Sequence, residues 1–296
     1  MTTETWTHRR VEANGINLHV VEQGEGFPVL LCHGFPEIWY SWRHQIPALA
    51  AAGFRAIAPD LRGYGESDKP DSVEEYDIQH LVGDVTGLLD ALDIEKAVIV
   101  GHDWGSIIMW SALVMHPQRF ERAVSFNVPY RGRCSGFPPT EVLEKLRDRY
   151  GYVLFFQEPG RAEASFAKDL PTKLRRFYDG VAADPTFLSD AEFQVYLSAY
   201  EKGGVTGPIN YYRNIDRNWT TTEQFTDAAI ELPAMLVMTD KDPILPPRIA
   251  EGLERWLPNL RRELIEGCGH WTQQEKPEEA NALLLDFLSD LRPSGR

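Results

Sequence analysis

The chain has 296 residues, of which 43% are hydrophobic and 25% are charged, and its formal net charge is −14. This composition is typical of a soluble globular protein with a large core and an insert, and it excludes a disordered or membrane-spanning chain. The acidic balance disfavours binding to nucleic acid or to an anionic membrane surface, because both carry negative phosphates.

The first predicted element is an antiparallel hairpin over residues 11–21, because the pair Asn14-Gly15 favours the positive φ of a tight turn. After the hairpin, short apolar segments alternate with helical patterns. The predicted strands are 28–32, 54–58, 97–100, 122–126, 233–238 and 261–266, and the main predicted helices are 78–92 and 279–288. The alternation predicts an α/β fold, in which a mostly parallel sheet is covered by helices on both faces and ligands bind near the carboxyl ends of the strands.

The alternation lapses between residues 131 and 226, where aromatic residues and helical patterns replace the strands. We interpret this segment as a helical cap. It is predicted to be inserted into one core domain formed by residues 1–130 and 227–296.

The segment 98–106 predicts a strand, a sharp turn and a helix beginning at Ser106, with Asp103 at the turn. Gly101 and Gly105 stand two residues before and after Asp103, where larger side chains would collide as the strand turns into the helix. A serine nucleophile has little support, because Ser106 follows the second glycine. A carboxylate at this position attacks a saturated carbon and becomes an ester itself. Asp103 is therefore the predicted nucleophile.

A covalent ester needs a base that activates water, and His270 is the predicted base. It follows a glycine-rich loop at the end of the last strand, and its ordinary pKa of about 6.5 leaves neutral imidazole near pH 7. An orienting acid is expected after the preceding strand. By chain order Asp240 and Asp242 both satisfy this expectation.

A loop after the first parallel strand contains His33, Gly34 and Phe35. Gly34 allows the backbone to pass close to the site. The amides of Phe35 and Trp104 are predicted to form an oxyanion hole during ester hydrolysis. His33 is expected to brace the loop.

Cysteine usage and the amino terminus indicate a reducing compartment. Cys32, Cys134 and Cys268 lack the spacing of a disulfide framework or a metal site. The first ten residues contain no apolar run like that of a signal peptide. We expect a cytoplasmic protein that requires no metal and no cofactor.

Several motifs together resemble the α/β-hydrolase-fold epoxide hydrolases, and in particular the catalytic domain of the soluble epoxide hydrolases. The matching segments are 33–37 with 39–42, 60–67, 101–105, 156–160 and 210–214. The similarity spans nearly the whole chain, and the motifs are specific as a set.

The resemblance implies roles for further residues. It favours Asp242 over Asp240 as the orienting acid, the latter being assigned to turn formation. It places two tyrosines that donate to the epoxide oxygen at Tyr152 and Tyr212, with Tyr150 as a competitor for the first position. It also implies a cis peptide bond before Pro36. Within the shared motifs, the candidates for lining the substrate pocket are Trp39, Phe156 and Tyr211, and core packing is the alternative role of Tyr211.

The resemblance predicts conversion of an epoxide and water to a vicinal diol by a monomer or homodimer. Because the chain begins just before the first hairpin, the additional amino-terminal phosphatase domain of the animal enzymes is not expected here. Two rival functions are a dehalogenase on the same scaffold and a non-enzymatic ligand receptor. The tyrosine pair has no role in the first, and a complete set of nucleophile, base and acid disfavours the second.

Overall fold

The computed structural model describes residues 6–133 and 136–292 of the chain. Eight strands form one sheet in the order β1-β2-β4-β3-β5-β6-β7-β8. The strands are β1 Thr7–Ala13, β2 Ile16–Gln23, β3 Phe27–Cys32, β4 Phe54–Pro59, β5 Ala97–His102, β6 Phe120–Phe126, β7 Ala234–Thr239 and β8 Leu260–Ile265. The first hairpin is antiparallel and pairs antiparallel with β4, and all later pairs are parallel. The predicted mostly parallel sheet and its antiparallel first hairpin are confirmed.

Twelve α-helices accompany the sheet in the described part of the chain. They are α1 Gln45–Ala51, α2 Ile78–Ala91, α3 Trp104–Met115, α4 Pro139–Glu144, α5 Arg147–Phe156, α6 Arg161–Phe166, α7 Leu170–Asp179, α8 Asp190–Gly203, α9 Thr206–Arg213, α10 Ile215–Thr221, α11 Thr272–Glu275 and α12 Pro277–Phe287. Helix α3 begins at Trp104, two residues earlier than predicted, because Asp103 itself is the residue at which the backbone turns.

The central strands lie in the buried core of the protein. All six residues of β5 and of β7 are buried, as expected for mainly apolar strands covered on both faces. The cysteines Cys32 and Cys268 are buried and unpaired, whereas Cys134 lies outside the described residues. None of the described helices combines the length and apolarity that crossing a membrane requires.

The segment between β6 and β7 contains helices α4 to α10 and, within its described residues, no strand. This agrees with the predicted helical character of residues 131–226. The helices lie over the carboxyl ends of the parallel strands, since side chains from α5, α7 and α9 line cavities together with the residue that follows β5. The division into core and cap stays a prediction.

Candidate active site

Asp103 stands at a sharp turn between β5 and α3, with a φ of +49° that non-glycine residues seldom adopt. A Cβ built on Gly101 would lie 2.5 Å from the backbone of α3, and one on Gly105 would overlap the carbonyl of Cys32. Only glycine therefore fits at these two positions. The amide of Trp104 is the first of α3 and has no acceptor within the helix.

One carboxylate oxygen of Asp103 is held by the backbone and the other faces an imidazole. Oδ1 accepts a hydrogen bond of 2.9 Å from the amide of Phe35, and Oδ2 lies 3.8 Å from Nε2 of His270. A Cβ on Gly34 would overlap the Asp103 side chain, so the backbone approach requires glycine. The peptide bond between Phe35 and Pro36 is cis, as the family resemblance predicted.

The imidazole of His270 is oriented by Asp242. Its Nδ1 atom lies 2.7 Å from Oδ2 of Asp242. The same oxygen also accepts a hydrogen bond of 2.9 Å from the side-chain amide of Asn127. The amides of Ile244 and Leu245 donate to Oδ1 at 2.8 and 2.9 Å. The carboxylate of Asp242 thus has a fixed orientation, and Nε2 of the imidazole points to Asp103.

Both members of this pair have shifted pKa values. Burial alone would lower the pKa of His270, but attraction to Asp242, the hydrogen bond with it, and the further charges of Asp103 and Glu37 raise it to about 9. Burial alone would raise the pKa of Asp242, but the charge and hydrogen bond of His270 hold it far below its usual range. The two carboxylates and the imidazole are therefore electrostatically linked.

Asp240, the alternative acid from chain order, points elsewhere. Its carboxylate accepts a hydrogen bond of 2.6 Å from the amide of Gly267 and forms an ion pair of 2.8 Å with Lys241. It thus closes the loop after β8, in keeping with the predicted role in a turn.

Glu275 fixes the loop that carries the imidazole, and sequence reasoning missed it. Its carboxylate accepts hydrogen bonds from the amides of Gly269 at 3.1 Å and Trp271 at 3.0 Å, on either side of His270. It also accepts 2.8 Å from the amide of Ala183, which lies beyond α7. One carboxylate therefore ties the histidine loop to the segment that follows α7.

Sequence reasoning also missed the buried pair of His102 and Glu37, which lies next to the site. Nε2 of His102 lies 2.8 Å from the carbonyl oxygen of His270, and its Nδ1 lies 2.7 Å from Oε2 of Glu37. The same Glu37 oxygen accepts 2.8 Å from the amide of Gly34. The pair thus links the loop before the cis bond to the backbone of the base. In the sequence, His102 stands directly before Asp103, which could have indicated a supporting role. Chain order alone does not show that its partners are Glu37 and the carbonyl of His270.

His33 braces the loop as predicted. Its Nε2 accepts 3.0 Å from the amide of Leu61, and its Nδ1 lies 2.9 Å from the carbonyl oxygen of Gly34. Burial lowers its pKa, so the neutral imidazole supports this pair of bonds.

Two tyrosines, Tyr152 from α5 and Tyr212 from α9, face Asp103. Their ring centroids are 6.0 Å apart. Burial first, and then the charge of Asp103, raise the pKa of both phenols above its ordinary value, so both hydroxyls stay protonated. Tyr150 instead donates 3.0 Å to the carbonyl of Ile244. Of the three candidates, Tyr152 and Tyr212 are the two that the structure places at the carboxylate.

Two cavities meet at Asp103. The α7 arm, of about 500 Å³, contains Phe156 and one face of α7. The α3 arm, of about 520 Å³, contains one face of α3. Asp103, Tyr152 and Tyr212 line both arms. An elongated ligand placed in both arms therefore has its middle at the carboxylate.

Of the three residues predicted to line the substrate pocket, Tyr211 and Trp39 lie elsewhere. Tyr211 is fully buried and donates 2.8 Å to the carbonyl of Arg62, so it packs in the core. Trp39 contacts the rings of Trp6 and His8 near the amino terminus. Neither lines the two arms, because Tyr211 packs in the core and Trp39 packs against side chains of β1 and β2. Of the three, Phe156 lines the α7 arm.

Comparisons with known proteins agree with this geometry. A family model described as the alpha/beta hydrolase fold matches residues 28–277. Epoxide hydrolase A of Mycobacterium tuberculosis is 41% identical, with 96% of this chain and 98% of that protein covered. Bifunctional epoxide hydrolase 2 of Sus scrofa is 38% identical over 93% of this chain, which spans only 53% of that relative. A solved structure of an epoxide hydrolase from an endophytic Streptomyces has a TM-score of 0.93 and 38% identity, with 98% of this chain and 97% of that one covered.

Proposed function

The chain belongs to the α/β-hydrolase fold family and, within it, to the epoxide hydrolases, and from this we propose that it converts an epoxide and water to a vicinal diol through an ester on Asp103. The observation that carries the proposal is the position of the Asp103 carboxylate. It lies between a backbone donor, Phe35, and an oriented imidazole, His270, and faces two protonated phenols.

In the first step Oδ2 of Asp103 attacks a ring carbon. The carbon–oxygen bond of the strained ring breaks, and Tyr152 and Tyr212 donate hydrogen bonds to the departing oxygen, one of them supplying its proton. Oδ1 stays on the Phe35 amide, which fixes the carboxylate for attack. The product of this step is a hydroxyalkyl ester.

In the second step water hydrolyses the ester. Nε2 of His270 takes a proton from water, whose oxygen attacks the carbonyl carbon of Asp103, and Asp242 stabilises the imidazolium that forms. The amides of Phe35 and Trp104 stabilise the oxyanion, a contribution of about 3–4 kcal/mol per donor in related sites. Collapse of the tetrahedral intermediate breaks the ester bond, and the departing oxygen takes the proton of the new Asp103 carboxyl group. The His270 imidazolium returns its proton to the tyrosinate left by ring opening, so the diol leaves and the carboxylate, imidazole and phenol are restored.

The dehalogenase alternative needs free donors for a halide. Side-chain hydrogen bonding with Trp104 lowers the pKa of Tyr212 against the larger effect of burial, so the Trp104 indole is engaged by the phenol. The two phenols that line both arms beside Asp103 support an oxygen leaving group, and they have no role in the dehalogenase alternative.

The test is a panel of styrene oxide, cyclohexene oxide, stilbene oxide and long-chain epoxides, with 1-chlorobutane and 1-bromobutane as controls, assayed for diol and for halide release. We expect diol from epoxides and no halide. The Asp103→Ala variant should fold and form no diol. Halide release without diol, or diol formation at the wild-type rate by folded Asp103→Ala, would contradict the proposal.

A further inference from the structure

Helix α7 contributes both cationic and aromatic side chains to the α7 arm. Lys173, Arg176, Phe177 and Gly180 all line the α7 arm, at the i, i+3, i+4, i+7 spacing of one side of a helix. Lys173 is half-buried and Arg176 is exposed. The two cations therefore stand where the aromatic interior of the arm opens to solvent.

Neither of these two cations forms an ion pair with a carboxylate in the described part of the chain. Nζ of Lys173 donates 2.9 Å to the hydroxyl of Ser165, which also lines the arm. Within residues 6–133 and 136–292, the ion pairs around α7 are made by Arg175 and Arg213, and none involves Lys173 or Arg176. The chain has 44 acidic and 30 basic residues, so carboxylates are abundant. Two neighbouring cations without a carboxylate partner are therefore available to bind an anion.

The α3 arm differs, because the cation that its described residues supply, Arg133, already has partners within the protein. The guanidinium of Arg133 lies 3.8 Å from the ring centre of Trp219, and its Nε donates 2.9 Å to the carbonyl of that residue. It also donates 3.3 Å to the hydroxyl of Thr226 and lies 3.9 Å from Glu223. The rest of that arm is mainly apolar. The two arms thus differ in charge although their volumes are similar.

We infer that Lys173 and Arg176 form a subsite for a carboxylate at the mouth of the α7 arm. The inference rests on the proposed function. The matching substrate is an epoxide that carries an apolar chain on each side of the ring, one of them ending in a carboxylate. The rings of Phe156 and Phe177 enclose the chain between the carboxylate and the ring, and the α3 arm takes the other chain. The subsite therefore determines which of the two ring carbons faces Asp103.

The test compares an acid with its methyl ester. The substrates are a cis-9,10-epoxide of a C18 fatty acid and its methyl ester, both used below the concentration at which they form micelles. The variants are Lys173→Gln/Arg176→Gln and the matched control Lys168→Gln/Arg175→Gln, which removes the same charge from side chains outside both arms. Circular dichroism and thermal unfolding verify that each variant is folded.

We expect the wild type to prefer the acid, and the ratio of kcat/KM for acid to that for ester to fall roughly tenfold in Lys173→Gln/Arg176→Gln, as for loss of charge-assisted hydrogen bonds. The control should keep the wild-type ratio. An unchanged ratio in the first variant, with both substrates hydrolysed, would overturn the subsite. Hydrolysis of styrene oxide without hydrolysis of the acid would also overturn it. Failure to hydrolyse any epoxide would instead overturn the proposed function.

Orientation is tested by running many turnovers in ¹⁸O-labelled water. Each turnover transfers an oxygen of Asp103 to the attacked carbon and replaces it with water oxygen, so the label marks that carbon. We expect the wild type to label one carbon of the acid preferentially and the Lys173→Gln/Arg176→Gln variant to approach an even distribution. The same preference in both proteins would overturn the assigned orientation.

Discussion

The Nε2 atom of His270 lies 3.8 Å from Oδ2 of Asp103, beyond the range of a direct hydrogen bond. The imidazole thus does not restrain the carboxylate, whose Oδ1 is held by Phe35 instead. It is placed to act on a water molecule beside the ester that Asp103 forms. The two half-reactions therefore depend on different side chains and can be separated.

The His270→Gln variant should open the epoxide once and then stop, because the base acts only after the ester has formed. Intact-protein mass spectrometry should detect an adduct with the added mass of one substrate molecule, and peptide mapping should place it on Asp103. The Asp103→Ala/His270→Gln double variant is the control and should form no adduct. If a folded His270→Gln protein that binds substrate never accumulates the adduct, covalent catalysis by Asp103 is wrong.

Replacing each aspartate after β7 distinguishes the orienting acid from the turn residue. Asp242→Asn should slow ester hydrolysis by about 10²–10⁴-fold, because an amide cannot stabilise the imidazolium at the 2.7 Å contact. Asp240→Asn should change the rate by less than about threefold, since an amide oxygen can still accept from the Gly267 amide. Single-turnover kinetics measure both rates. Equal losses in the two variants would contradict the assignment.

The phenols should affect ring opening selectively. Tyr152→Phe and Tyr212→Phe should each slow ester formation by about 10–10²-fold, and the double variant should lose nearly all of it, because each hydroxyl partly replaces the other. Tyr150→Phe is the matched control, since its hydroxyl donates to the Ile244 carbonyl. Stopped-flow tryptophan fluorescence follows ester formation. A larger loss in Tyr150→Phe than in Tyr152→Phe would transfer the role to Tyr150.

The rate of ester hydrolysis should rise with pH, because the base must be neutral. The His270 pKa of about 9 in the resting enzyme includes a contribution from the negative charge of Asp103. Esterification removes that charge, so the pKa should fall in the intermediate. Hydrolysis should therefore be lost on acidification through an apparent pKa below about 9. Rapid-quench measurements of ester decay from pH 5 to 10 test this, and an apparent pKa above 9 would contradict it.

Glu275→Gln should weaken both the fold and the second step. The amide group cannot accept all the hydrogen bonds that Gly269, Trp271 and Ala183 donate, and an unpaired buried donor costs about 1–3 kcal/mol of unfolding free energy. Because these bonds flank His270, ester hydrolysis should slow more than ester formation. Urea unfolding and single-turnover kinetics check the two effects, with the exposed Glu278→Gln as control. Equal slowing of both steps would indicate a general loss of structure.

The amino-acid sequence by itself determined the sheet, the turn at Asp103 and the loop position of His270. Those features depend on local constraints: apolar segments of strand length, and glycines where a Cβ would overlap the backbone at Gly101 and Gly105. Gly34 adds a close approach that a larger residue could not make. Such constraints act over a few residues and are therefore visible in a motif.

The tertiary structure decided which side chains from distant segments meet. Asp240 and Asp242 are equivalent by chain order, but the Asn127 amide, on another strand end, helps to hold Asp242 against His270. The tyrosines of α9 are adjacent in sequence, yet Tyr212 faces the carboxylate and Tyr211 packs in the core, because successive residues point to different sides of a helix. These outcomes depend on how the helices pack over the sheet, which no local pattern specifies.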